Sequence, residues 1–124
     1  MLSFGANTRI FVAREATDMR RSFDGLSALV CNVIQQDPQS GHLFVFTNKR
    51  KDRVKILGWE RGGYWLWYKR LEHGRFAFFD RLSSSAHAFE LEPHELTLLL
   101  EGIDLRGARR RLSHEDLHPS MMRA

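Results

Sequence analysis

From His42 onward the apolar and polar positions alternate with a period of two through 42–47 (HLFVFT), 53–59 (RVKILGW), 64–70 (YWLWYKR) and 75–79 (RFAFF). Successive side chains of a strand point to opposite faces, so this rhythm predicts four strands. The connections NKRKD, ERGG and LEHG are short and rich in turn-forming residues, which makes the run an antiparallel meander. Upstream, 8–15 (TRIFVARE) sets Ile10 and Val12 against Arg9, Phe11 and Ala13, the pattern of a strand with one buried side that opens the sheet.

Between these strands the period lengthens. In 16–38 (ATDMRRSFDGLSALVCNVIQQDP) the residues Phe23, Leu26, Leu29, Val30, Val33 and Ile34 share one face of a helix over 22–36, capped by Ser22 or Asp18 and ended by Pro38. Gly25 costs about 1 kcal/mol relative to Ala there, which weakens the first turn. A second helix is predicted at 93–101, with Pro93 at its first position, Leu96, Leu99 and Leu100 on one side, and Gly102 as its stop. The segment 80–92, with its Ser triplet, reads as a polar loop. The expected fold is α+β: a mostly antiparallel sheet, made of the N-terminal strand and the four-stranded meander, with two helices packed on it. Residues 1–106 form one domain in this reading, and 107–124 a basic, flexible tail without a sustained apolar face.

Composition bounds the function classes. At 124 residues, with 43% hydrophobic and 27% charged positions, the chain has enough for one modest core and is not disordered through most of its length. The single Cys31 lies in an apolar segment, cannot form an internal disulfide and reads as a small core residue. No basic-then-apolar leader and no apolar run of bilayer length is present, so a cytoplasmic location and no membrane partner are expected.

Enzymatic patterns fail on their context. His114, Glu115 and His118 (HEDLH) match a two-histidine zinc pattern, but they sit beside Pro119 near the C-terminus in a segment too polar to bury itself. Such a centre needs a buried helix, a third ligand and a dry cavity. The carboxylates Asp18, Asp24, Asp37, Asp52, Glu60, Glu72 and Asp80 are scattered, many beside Lys or Arg, and read as caps, turns and surface charges. Ser83, Ser84, Ser85 and His87 fall in the predicted loop, and Gly62 and Gly63 precede a strand rather than the helix start a phosphate loop needs. No catalytic residue, metal ligand or cofactor is therefore assigned.

Charge is distributed unevenly. Residues 49–81 hold ten Lys and Arg against four Asp and Glu, whereas the rest of the chain holds nine against eleven. A local excess of this kind is the footprint of a polyanion site, and equally of a solvated sheet edge. Lys49, Arg50 and Lys51 would project from a hairpin tip, with Arg53, Lys69, Arg70 and Arg75 extending the positive area. In the third meander strand Tyr64, Leu66, Tyr68 and Arg70 point one way, and Trp65, Trp67 and Lys69 the other. One ring set completes the core and the other is free for a partner. Trp65 and Trp67 are the candidates for stacking on bases or docking a protein.

Three stretches carry a family resemblance: TDMRRSFDGLSALV (17–30), DPQSGHLFVFTNKRKDRVKILGWERGGYWLWYKRLEHGRF (37–76) and LTLLLEGIDLR (96–106). In this ordered succession the chain resembles the TnpB accessory protein, the second open reading frame product, of the insertion-sequence sixty-six family. The resemblance implies a small bacterial protein encoded beside a separate DDE-type transposase and needed for efficient transposition, with no known catalytic residues. It directs attention to Asp18, Met19, Arg20, Gly41, Phe44, Lys55, Trp59 and the run from Trp65 to Phe76. The resulting expectation is a non-enzymatic accessory factor that meets DNA, its cognate transposase, or both, and forms homo-oligomers in one version. A pure protein-interaction module without DNA contact is the alternative.

Overall fold

The computed structural model describes residues 5–77 and 87–102. Strands β1 (Ile10–Ala13), β2 (Leu43–Thr47), β3 (Arg53–Glu60), β4 (Gly63–Arg70) and β5 (Ala88–Leu91) form one sheet in the order β4-β3-β2-β1-β5. Helix α1 (Phe23–Leu29) and helix α2 (Pro93–Glu101) complete an α+β arrangement. β1 and β2 pair in parallel, and the crossover between them carries α1; the other three pairings are antiparallel.

Several parts of the sequence expectation change. Among the described residues the meander has three strands where four were expected: Arg75 makes only an isolated bridge and Phe76 is drawn into the core. The remaining strand lies at the opposite edge, where Ala88–Leu91 pairs with β1 inside the segment read as a loop. β1 is buried on both sides because it lies between β2 and β5 with both faces covered, so its four residues show no inside–outside contrast. Cys31 is exposed rather than in the core. α1 passes into a π-helical turn at Val30–Ile34, and it is Leu26, Val30 and Ile34, four residues apart, that are buried. Cys31 falls on the outer side, and Phe23 and Val33 are also exposed. Ser22 stands at the N-cap of α1, but its side chain makes no capping bond. Asp18 instead accepts the backbone N–H of Arg20 in a turn.

Strand alternation splits the core into two layers. On one face Phe11, Phe44, Phe46 and Leu57 pack with Leu26, Val30 and Ile34 of the α1 segment. On the other, Ile10, Val12, Val45, Val54, Ile56 and Phe89 pack with Leu96 and Leu99 of α2. α2 starts as its sequence predicts: the Glu92 backbone N–H donates to the Glu95 carboxylate at 2.8 Å in a capping box, and Pro93 opens the helix. β3 and β4 are joined through Arg61 (φ 52°) and Gly62 (φ 80°), the two positive φ values that a two-residue hairpin loop needs to follow strand twist. Trp65 lies over Gly58, its partner across the ladder; a Cβ there would stand 2.2 Å from the indole. Gly58 is therefore the gap the Trp65 ring fills.

Candidate nucleic-acid interface

The β2–β3 hairpin is built by its first residue. Asn48 Oδ1 accepts the backbone N–H groups of Asp52 and Arg53, each at 3.1 Å, while its Nδ2 donates to the Asp52 carboxylate at 2.6 Å. That bond is the main reason the Asp52 carboxyl titrates below its ordinary range. Lys51 takes a left-handed conformation (φ 62°), closing the turn with its N–H on the Asn48 carbonyl at 3.1 Å. The tip thus presents Lys49, Arg50 and Lys51 to solvent from a fixed backbone.

The chain leaving β4 returns to this hairpin. The Leu71 N–H donates to the Asp52 carbonyl and the Phe76 N–H to the Lys51 carbonyl, both at 2.8 Å. Arg75, exposed, is thereby held beside the tip. Arg53 and Arg70 are direct cross-strand partners on the α1 face of the sheet. Six of the seven sequence-predicted cations, Lys49, Arg50, Lys51, Arg53, Arg70 and Arg75, therefore share one end of the β3–β4 ribbon. Arg70 pairs with Glu72 at 2.9 Å; Lys49, Arg50 and Arg75 make no ion pair among the described residues.

Lys69 is placed elsewhere. It points to the α2 face, and its Nζ donates to the Leu100 carbonyl in the last turn of α2 at 2.8 Å. Trp65 and Trp67 lie on that same face, half-buried against the core beneath α2. The structure does not bring these two rings together with the six clustered cations.

The exposed ring near the cations is Tyr68, 48% accessible. It stands directly across the ladder from Lys55, whose Nζ lies 4.8 Å from the ring centroid. An Arg53 guanidinium N–H donates to its hydroxyl in a long bond of 3.4 Å. Lys55 itself is buried, and its ammonium donates at 2.7 Å to the Met19 and Arg21 carbonyls. It ties the 17–22 segment to the sheet through main-chain oxygens. Sequence reasoning placed Tyr68 only within one of two ring sets, naming Trp65 and Trp67 instead for stacking, and assigned no role to Asn48. The signal for Tyr68 was its parity with Arg70, and that for Asn48 was an amide at the head of a tight turn followed four residues later by Asp52.

The charged tip, the folded-back Arg75 and the sheet end all lie in the second of the stretches that carry the resemblance, 37–76, and a comparison with known proteins decides it: a family model described as IS66 Orf2 like protein matches residues 8–110. The chain belongs to the IS66 Orf2-like family. It is 36% identical over 111 residues to the uncharacterized protein y4jC of Sinorhizobium fredii (strain NBRC 101917 / NGR234), covering 90% of this chain and 92% of the relative. It is 37% identical over 106 residues to the uncharacterized protein y4hO of the same strain, covering 86% and 90%. No solved structure matches. The IS66 Orf2-like family consists of accessory proteins associated with transposition. Among the described residues of this IS66 Orf2-like chain, no group of three or more His, Cys, Asp or Glu could hold a metal, and no helix is long and apolar enough to cross a membrane. The HEDLH pattern at 114–118 and the Ser83–Ser85 triplet lie outside the described residues, as does the predicted tail.

Proposed function

We propose that the chain serves transposition as a non-enzymatic factor that grips DNA by its phosphates, through Lys49, Arg50, Lys51, Arg53, Arg70 and Arg75, and presents it to the cognate transposase. The carrying observation is the gathering of these cations at one end of the β3–β4 ribbon, where Lys49, Arg50, Arg53 and Arg75 make no ion pair among the described residues. Phosphate contacts of this kind fix position and supply affinity without choosing sequence. Binding to element-end DNA measured across salt concentrations tests the reading, because each neutralised phosphate contributes about −0.9 to the log–log slope on duplex DNA. A steep slope supports it, and undetectable binding at low salt defeats it.

One observation favours docking on a protein as well. β4 is eight residues long and forms the sheet edge, with no described strand on its outer side. Its unpaired backbone groups offer a template for a strand of the transposase or of a second copy. If the purified chain ignores DNA but co-purifies with its transposase, this reading replaces the first.

A further inference from the structure

We propose that Tyr68 is a stacking platform for an unpaired base, so that the cationic end of the sheet takes single-stranded DNA. This rests on the DNA reading above and names the form of DNA that the same site selects.

Three features of the site carry the inference. First, the Tyr68 ring is already fixed on one side: Lys55 lies against it at 4.8 Å and Arg53 holds its hydroxyl. With that face covered and 48% of the residue exposed, the open surface is the opposite face. A ring ordered in advance loses little freedom when a base settles on it. Second, Arg53 and Arg70 stand directly opposite one another on the same face as Tyr68, and like charges in that relation destabilise a sheet. Glu72 pairs with Arg70 from the side, whereas Arg53 makes no ion pair among the described residues and meets the Asp52 carboxylate only through space. A phosphate lying between the two guanidiniums relieves both. Third, the tryptophans of β4 are spent: Trp65 covers Gly58, Trp67 packs under α2, and Lys69 is committed to Leu100.

A base face flanked by phosphate-binding arginines is the combination that follows a single strand. Duplex DNA keeps its bases stacked inside and offers such a ring nothing but backbone. The duplex can therefore meet the lysines and arginines, but it gains nothing from Tyr68.

The test compares fluorescein-labelled oligothymidine with a duplex of the same length by anisotropy, at low salt, for the wild-type chain, Tyr68→Phe and Tyr68→Leu. Stacking on one base is worth about 1–3 kcal/mol, so Tyr68→Leu should weaken the single strand by about 5- to 150-fold and leave the duplex unchanged, with Tyr68→Phe close to wild type. As a readout that needs no variant, oligothymidine carrying 5-iodouracil is photo-crosslinked to the wild-type chain and the adduct mapped by mass spectrometry. An adduct on Tyr68 supports the proposal even if Tyr68→Leu fails to fold. Adducts confined to other residues, or equal losses for single strand and duplex in a folded Tyr68→Leu, overturn it while leaving the phosphate reading intact. Absence of binding to either form overturns both.

Discussion

The two faces of β4 share one backbone and similar chemistry, rings followed by a cation, yet they are used differently. On the α2 face Trp65, Trp67 and Lys69 are absorbed: one ring over Gly58, one under the helix, and the ammonium on the Leu100 carbonyl. On the α1 face Tyr64 and Leu66 reach the core, but α1 ends its cover before Tyr68 and Arg70, which are exposed. What separates a structural cation from an available one is therefore whether main chain, helical or not, lies above it. The same rule governs Lys55, which lies on the α1 face but under the 17–22 segment and is buried.

The largest effect expected from this contrast is at Lys55. Lys55→Ala removes two charge-assisted bonds and leaves the Met19 and Arg21 carbonyls to find other donors, a loss of about 3 kcal/mol in urea unfolding. A loss below about 1 kcal/mol would show that the 17–22 segment holds itself. Next is Gly58→Ala. Its Cβ must displace the Trp65 indole from a 2.2 Å overlap, and overpacking of that kind costs about 2 kcal/mol. Trp65 fluorescence should shift to the red as the ring moves into water, and an unchanged spectrum would contradict the stacking of Trp65 on Gly58.

Lys69 and Arg70 are neighbours in sequence and opposites in role, so they make the sharpest pair. Lys69→Met should lower stability by about 1.5 kcal/mol, because a cation at the end of α2 is lost, and leave DNA affinity unchanged. Arg70→Met should do the reverse, weakening DNA binding and reducing the salt slope by about 1 with stability nearly constant. Equal losses of affinity in both variants would mean that the two faces are not divided as described.

Much of this fold was legible in the sequence because its signals are local. The alternation over 42–70, the turn at Arg61 and Gly62, and Pro93 and Gly102 at the ends of α2 each specify their own structure within a few residues. β5 was not legible. AFEL is short and lies in a polar stretch, and its strand character comes from pairing with β1, more than seventy residues earlier. Cys31 was misplaced because it was read from the apolar character of its segment alone; the buried stripe runs through Leu26, Val30 and Ile34, and Cys31, one residue past Val30, falls off it. The candidate site was half visible. The cations announce themselves by composition, but only packing distinguishes Lys69 from Arg70, and only exposure distinguishes Tyr68 from Trp67.

A smaller effect follows from Glu72, which pairs with Arg70 in the cationic cluster. The Arg70–Glu72 pair is exposed on both partners, so Glu72→Gln should change stability by less than about 0.5 kcal/mol. Removing the carboxylate frees Arg70 and deletes a repulsion, and oligothymidine affinity at low salt should rise by about threefold. Unchanged affinity would place Arg70 outside the path of the strand.

The smallest effect concerns the segment that Lys55 holds. Asp18 is exposed and its carboxyl is drawn down to about 2, chiefly by the side-chain hydrogen bonds from Arg20, which include Nη2 to Oδ2 at 2.7 Å. A carboxyl depressed in the folded state adds stability above its unfolded pKa and loses it as pH falls through the folded value, here between the ordinary carboxylate range and about 2. Lys55, however, grips the segment through the carbonyls of Met19 and Arg21 and not through this carboxylate. Protonating Asp18 should therefore loosen the Arg20 side chain while leaving the Lys55 contacts in place. Carbon-13 titration of the Asp18 carboxyl should give a midpoint near 2 that moves up toward the ordinary range in Arg20→Ala, with the Lys55 amine resonances constant across the transition. If the Lys55 signals follow the Asp18 titration, the segment is held by charge rather than by its main chain, and the division between structural and available cations on this face has to be redrawn.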